Sequence, residues 1–115
     1  MDSTDTIYDL KRLVSEFYEE RKWSKLYNAK DLSIAISTES NELLDLFLFE
    51  SCNEIDRMLK STKLREKIGS QLADVFYFTL AFSHKYKFDL SVELRKKIIL
   101  NAKRYTRRNS KNIDK

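Results

Sequence analysis

The chain has 115 residues, 35% of them charged and 42% hydrophobic, with a formal net charge of +4. This length predicts one domain over residues 1–115, and the composition argues against a disordered chain. One glycine and no proline argue against a β-sandwich or a glycine-rich phosphate loop, and favour long, uninterrupted helices. No apolar run approaches the roughly 18 residues of a membrane-spanning helix, and the acidic, polar N-terminal segment is unlike a signal peptide.

The first two predicted helices are separated by the segment WSKLYN. The first helix runs from about Thr6 to Lys22 and has an apolar stripe at helical spacing. Asn28 is a suitable cap for the second helix, with Asp31 three residues later in the arrangement of a capping box. That helix is predicted to run to about Phe49, and its pattern also allows a kinked continuation through the segment EIDRML.

Two further helices complete the predicted fold. Thr62 is the predicted cap of the third helix, which contains LREKIGSQLADVFYFTLAFSHKY. Asp89 is the predicted cap of the fourth helix, which ends near Tyr105, and a basic tail follows from about residue 107. Four helices of this length joined by short loops indicate an all-α protein with the architecture of a four-helix bundle.

Two carboxylates interrupt the stripe that the second helix should bury. Glu39 and Glu42 lie three positions apart in a row whose other members, at positions 32, 35, 46 and 49, are apolar. The third helix repeats the arrangement, because Gln71 and Asp74 border its apolar face at the same spacing. Residues three apart share one face of a helix, so packing of these two helices would bring four oxygen-bearing side chains together.

Carboxylates that meet on a buried face repel one another unless a cation joins them. Oxygen ligands of this hard type suit Mg²⁺ or Mn²⁺. The alternative is that the four side chains are half-exposed and paired with Lys or Arg, and the spacing favours neither interpretation over the other.

Positive charge is concentrated at the C-terminal end of the chain. Residues 95–115 hold nine Lys or Arg and one Asp, a net charge of +8, which leaves about −4 for the remainder. A basic segment of this kind indicates contact with phosphates or, equally, a solvated helix end and tail. It lacks the interleaved aromatic residues that are typical of proteins that bind single-stranded nucleic acid.

The order of these motifs resembles that of the MazG-type all-α nucleoside triphosphate pyrophosphohydrolases, particularly the small dCTP-pyrophosphatase-like members. The family pattern E-x-x-E, spacer, E-x-x-D reads here as ESNE, 28 residues and QLAD. ELLDLFLF is similar to the family's continuation of the second helix, and QLADVFYFTLAFSHKYKFDL to its third helix and the loop that follows. KIILNAKRY is similar to the closing K-x-x-x-N-x-x-R-Y. The resemblance covers about residues 17–105.

This resemblance implies a Mg²⁺-dependent hydrolase, with Mn²⁺ as a substitute cation, that converts a nucleoside triphosphate into a nucleoside monophosphate and pyrophosphate. Candidate substrates are dCTP and non-canonical nucleotides. The catalytic, metal-binding carboxylates would be Glu39, Glu42 and Asp74. Gln71 takes the fourth ligand position, where the family has a carboxylate, and this departure predicts weaker metal binding.

The resemblance also implies the residues of a substrate site. The family's nucleotide-contacting positions on the last helix are occupied by Lys97, Asn101, Arg104 and Tyr105. The positions of its base contacts are occupied by Trp23, Tyr27 and Phe49, for each of which packing in the core is the alternative interpretation.

Many large apolar residues in so short a chain, together with the resemblance, predict a homodimer or homotetramer. A single cysteine, Cys52, can form neither an internal disulfide nor a zinc site, and it indicates a reducing cytoplasm. No membrane or nucleic-acid partner is expected. Two alternatives remain open: a relative that binds nucleotides without turnover and acts as a regulator, and a helical interaction module whose basic end contacts nucleic acid.

Overall fold

The structure, a computed structural model, describes residues 1–105, and throughout that range the regular elements are helical. The predicted all-α class is therefore confirmed, while the predicted basic tail lies outside the described residues. The helices are α1 (Ile7–Glu20), α2 (Ala29–Asp45), α3 (Cys52–Lys60), α4 (Thr62–Lys85) and α5 (Leu90–Arg104), with a single 3₁₀ turn, Trp23–Lys25, between α1 and α2.

Capping boxes begin the first two helices. The Thr6 hydroxyl accepts a hydrogen bond from the Asp9 amide, and the Asp9 carboxylate accepts one from the Thr6 amide, each at 3.1 Å. Asn28 and Asp31 form the equivalent pair at 3.0 Å, as the sequence predicts. Each reciprocal pair satisfies two amides that a helix start would otherwise leave without a partner, so the starts of α1 and α2 are fixed by local sequence.

The predicted end of the second helix is wrong. α2 ends at Asp45 rather than near Phe49, because residues 46–49 form turns. A new helix then starts at Ser51, whose hydroxyl accepts a hydrogen bond from the Glu54 amide at 3.2 Å. The segment EIDRML therefore belongs to the separate helix α3, and the described chain has five α-helices rather than four.

The cap of α4 also differs from the prediction by one residue. Ser61 is the cap, since its hydroxyl accepts a hydrogen bond from the Leu64 amide at 3.3 Å, and Thr62 is the first helical residue. Ser and Thr are both good N-cap residues, so the residue types do not distinguish two adjacent candidates. The predicted cap of the last helix is confirmed, because the Asp89 carboxylate accepts from the Val92 amide at 3.0 Å.

The core forms around α4. α2 makes the most extensive contact with α4, α1 packs against α4 over a smaller area, and α3 covers a smaller part still. The main cluster of buried side chains comes from three helices and consists of Val14, Tyr18, Leu32, Leu80 and Ala81. Since α2 and α4 pack along much of their length, any side chains on their facing stripes are brought together. Within residues 1–105, none of the helices has the length and hydropathy needed to cross a membrane.

The turn between α4 and α5 has a defined conformation. Lys87 adopts φ 62°, the left-handed region that a non-glycine residue occupies at a cost. The Phe88 amide donates to the Ser83 carbonyl at 2.9 Å, and the Phe88 ring lies 6.1 Å from that of Phe82. These contacts set the direction in which α5 leaves the core.

α5 itself packs little against the rest of the chain. Leu90 contacts the core, but every residue from Ser91 to Tyr105 is exposed, including the apolar Leu94 and Ile98 at 61% and 58%. The radius of gyration is 17.3 Å, against about 13 Å for a compact domain of this length. An uncovered apolar helix of this kind is consistent with association, so a homodimer or homotetramer remains our prediction.

We expect light scattering to give at least twice the chain mass at micromolar concentration. The double variant L94E/I98E should shift the protein toward monomer, because two carboxylates cannot be buried on the apolar face of α5 without a large desolvation cost. Ser91→Glu, an exposed substitution on the same helix, is the matched control and should leave the mass unchanged. A monomeric wild-type protein would contradict the prediction.

Candidate functional site

Gln71 of α4 contacts Glu39 of α2 directly. The Gln71 Nε2 atom donates to the Glu39 backbone carbonyl at 3.0 Å and to Glu39 Oε2 at 2.6 Å, and both side chains are half-buried. Both partner atoms are acceptors, so the nitrogen of the amide must face them. The two halves of the acidic pattern, separated by 28 residues in sequence, therefore meet where α2 packs on α4.

We call the side chains that converge here the acidic cluster: Glu39, Glu42, Asp45, Gln71 and Asp74. The pKa of Glu42 is raised above its ordinary value, first by the negative charge of Glu39 and then by a hydrogen bond with it, with desolvation, Asp74 and Asp45 adding to the effect. Glu42 is exposed, so repulsion between like charges outweighs burial as the cause.

In the part of the chain that the structure describes, basic side chains do not neutralise the carboxylates of the acidic cluster. Among the ion pairs within residues 1–105, none includes Glu39, Glu42, Asp45 or Asp74. The half-exposure expected in the alternative interpretation is found for Glu39, Gln71 and Asp74, but the expected ion pairs to Lys or Arg are not found among residues 1–105. A cation would bind favourably to this group of carboxylates, since their negative charges lie close enough together to raise the pKa of Glu42.

The acidic cluster fits a divalent cation by its chemistry, since carboxylate and amide oxygens are the ligands that Mg²⁺ prefers. As the side chains are placed, no three Asp, Glu, His or Cys residues within residues 1–105 are arranged to hold an ion. Glu39 is engaged by Gln71, and Glu42 is exposed. Side-chain rotation would therefore have to form the ligand geometry.

An aromatic cavity lies between α1, α2 and α4. Its volume is about 330 Å³, and its walls include Tyr18, Trp23, Tyr27, Asp31, Tyr77 and Phe78. The Trp23 ring packs edge-on against Tyr18 and Tyr27, at 5.9 and 6.2 Å between ring centroids. A concave site with aromatic walls and one carboxylate at its edge is the usual form of a pocket for a small planar molecule.

The aromatic cavity adjoins the acidic cluster along both helices. Ala35 lines the cavity and Glu39 follows it four residues later on α2; Phe78 lines the cavity and Asp74 precedes it by four residues on α4. Four residues correspond to a rise of about 6 Å along a helix. The groove between α2 and α4 therefore places aromatic walls one helical turn from a cluster of carboxylates.

Lys85 holds one wall of the aromatic cavity in place. Its Nζ donates to the Ser24 carbonyl at 2.8 Å and to the Tyr27 carbonyl. These carbonyls belong to the 3₁₀ turn and the residues just after it. The end of a helix leaves carbonyl groups without a donor from the helix itself, and the Lys85 ammonium supplies that donor together with a favourable positive charge. Trp23 and Tyr27 are thereby fixed relative to α4.

The structure brings only part of the predicted site together. Trp23 and Tyr27 line the aromatic cavity, but Phe49 lies in the connection between α2 and α3, is 93% exposed and does not line it. Lys97, Asn101, Arg104 and Tyr105 are exposed on α5. In residues 1–105, neither Lys97 nor Asn101 makes a hydrogen bond or ion pair with the acidic cluster, whereas the Arg104 guanidinium lies 5.3 Å from the Tyr105 ring.

Of the nine residues that line the aromatic cavity, the sequence predicts only Trp23 and Tyr27 as site residues; the polar and aromatic residues that it does not predict are Tyr18, Asp31, Tyr77 and Phe78. Phe78 was recoverable, because it continues the stripe of Gln71 and Asp74 by one helical turn. The sequence predicts only the capping role of Asp31, and the structure confirms that role. Its second position, in the lining of the aromatic cavity, follows from the packing of the helices. Tyr18 lies on the apolar face of α1, and nothing in the local sequence pattern separates a cavity wall from a core residue.

The sequence is similar to dCTP pyrophosphatase 1 from three mammals. The human protein is 29% identical over 100 residues, which are 87% of this chain and 59% of the relative. The mouse protein is 30% identical over 100 residues, again 87% of this chain and 59% of the relative. The bovine protein is 28% identical over 103 residues, which are 90% of this chain and 61% of the relative. The chain thus spans about three fifths of the length of these relatives. No protein-family model matches it.

We expect Glu42→Gln to stabilise the protein without added metal. A carboxyl whose pKa is raised by folding lowers stability above that pKa, so removing its charge should raise the melting temperature at pH 7. The gain should shrink as the pH falls through the raised pKa of Glu42, because the wild-type carboxyl then becomes neutral too. Glu66→Gln, an exposed position on α4, is the control. A lower melting temperature for Glu42→Gln at pH 7 would contradict this account.

Lys85→Met should loosen the wall that contains Trp23. Loss of charge-assisted hydrogen bonds to two carbonyls should cost about 1–3 kcal/mol of unfolding free energy. Because Trp23 is the single tryptophan, its fluorescence reports on the cavity directly, and we expect stronger quenching by acrylamide. Lys67→Met, an exposed change on α4, should alter neither quantity; unchanged quenching in Lys85→Met would rule out the proposed anchor.

Proposed function

We propose that this chain is a nucleoside triphosphate pyrophosphohydrolase that depends on Mg²⁺ and releases pyrophosphate, with dCTP as the first substrate to test. The observation that supports it best is the adjacency of the aromatic cavity and the acidic cluster in one groove. A nucleotide has the same layout, with a planar base at one end and a triphosphate at the other. The similarity to dCTP pyrophosphatase 1 supports the same proposal.

In this proposal the base occupies the aromatic cavity. Trp23 and Tyr27 would stack on or pack against it, and the Asp31 carboxylate can accept a hydrogen bond from an exocyclic amino group. Positively charged side chains of α5, Lys97 and Arg104, would contact the phosphates, and Asn101 would bind the sugar or base. Since α5 is exposed in the single chain, contacts of this kind would be completed by assembly.

The acidic cluster would hold the cation through Glu39, Glu42 and Asp74, with the Gln71 oxygen as a neutral fourth ligand. Bound Mg²⁺ would supply neutralisation of the triphosphate and activation of water. Glu42, whose carboxylate is exposed, would also orient the attacking water and accept its proton. Attack of the water oxygen on the α-phosphorus forms one P–O bond, and cleavage of the bond to the bridging oxygen releases pyrophosphate.

Pyrophosphate release from a panel of nucleoside triphosphates, with Mg²⁺ and with EDTA, is the decisive measurement. We expect turnover by the wild-type protein with Mg²⁺, and loss of at least 100-fold in Asp74→Ala and Glu39→Ala without unfolding. Asn53→Ala, an exposed substitution on α3 outside the groove, is the control. Salt-sensitive DNA binding without nucleotide binding would instead favour the helical interaction module.

A second candidate is a nucleotide-binding relative with weak or no turnover. The specific observation that favours it is the engagement of Glu39 by the neutral Gln71, together with the lack, within residues 1–105, of three acidic side chains arranged around one point. Tight nucleotide binding by calorimetry without pyrophosphate release would select this candidate.

We also propose a cytoplasmic location, from the exposed single cysteine Cys52.

A further inference from the structure

Gln71 joins α2 and α4 at the centre of the acidic cluster. Both of its N–H bonds point to Glu39, one to the backbone carbonyl and one to the carboxylate. A hydrogen bond from an amide to an ionised carboxylate is stronger than one between neutral groups, and the 2.6 Å separation is at the short end of the range. The contact lies between half-buried side chains, so water competes with it less than at the surface.

The same position could not hold a carboxylate in this arrangement. A glutamate at position 71 would place acceptor atoms against two acceptors of Glu39, and both charges would lie in a partly desolvated contact. Such a pair is stable only when a proton or a cation lies between the oxygens. The amide removes this requirement because it donates where a carboxylate would repel.

We propose that Gln71 is a positioning residue, a clamp that holds Glu39 to α4 and keeps the acidic cluster closed without a cation. In the free protein the Gln71 amide is hydrogen-bonded to the Glu39 carboxylate. A divalent cation must break this hydrogen bond before Glu39 can become a ligand, so it binds weakly when no nucleotide is present. This inference rests on the proposed function in treating the cluster as a cation site, but the clamp itself is a property of the free chain.

Two variants test the clamp through stability and metal binding, without nucleotide. In EDTA at pH 7, Gln71→Glu should lower the melting temperature by about 5 °C or more, since it exchanges an attractive contact for a repulsive one. The swapped variant E39Q/Q71E places the amide and the carboxylate on opposite helices and should recover part of that loss. Asn53→Asp, the same amide-to-acid change on α3, is the control and should leave the melting temperature unchanged within 1–2 °C.

Titration with Mg²⁺ alone provides the second measurement. We expect Gln71→Glu to bind Mg²⁺ at least tenfold more tightly than the wild type by calorimetry, and to show the larger Mg²⁺-dependent rise in melting temperature. Equal stability of Gln71→Glu and wild type in EDTA, no recovery in the swapped variant, or equal Mg²⁺ affinity would each overturn the clamp.

The outcomes separate the clamp from the proposed function. If the stability and Mg²⁺ patterns appear but no pyrophosphate is released from any nucleotide, the clamp stands and the hydrolase proposal fails. If the wild type hydrolyses nucleotides but Gln71→Glu has wild-type stability and Mg²⁺ affinity, the hydrolase proposal stands and the clamp fails.

Discussion

Repulsion among carboxylates at the α2–α4 contact is the constraint on which the site depends. The packing of these helices is driven by apolar residues such as Leu32 and Leu80, which are almost fully buried. On α2 Glu39 lies in the row of Leu32, and on α4 Asp74 lies in the row of Ala81, so the gain from burying the apolar residues forces the acidic groups toward one another. Apolar side chains at these positions would remove the repulsion, so the four-residue acidic pattern lowers the stability of the free chain.

The groove between α2 and α4 combines two properties along one line. Its half near Trp23 and Tyr77 is aromatic and its half near Glu39 and Asp74 is anionic. The boundary falls between Ala35 and Glu39 on one helix and between Phe78 and Asp74 on the other, so the two halves are in register. The change from cavity wall to carboxylate takes four residues, about one helical turn, on each helix. Because the two rows of residues face each other, the change occurs at the same height on both helices.

Helix content and the pairing of the acidic motifs could be predicted because both depend on periodicity and on local caps. The Asn28 box and the Asp89 cap are decided within four residues of sequence, and the i, i+3 pairs depend only on helical spacing. The end of α2 could not be placed, since residues 46–49 are as apolar as a helix continuation. The start of α3 could have been placed, because Ser51 and Glu54 have the S-x-x-E spacing of a capping box. The aromatic cavity was found only in part, because its walls combine residues 18–35 with Tyr77 and Phe78 of α4, which only the packing of the helices brings together.

The conformation of the turn at Lys87 fixes the start of α5 but not its stability. The left-handed residue, the hydrogen bond from the Phe88 amide to Ser83 and the Phe82–Phe88 ring contact set the course of the chain before α5 begins. α5 itself is 15 residues long and has no buried residue, and a helix of that length without packing is only marginally stable in water. Covering its apolar face would therefore also stabilise the helix, so that association and helix formation in α5 would be coupled.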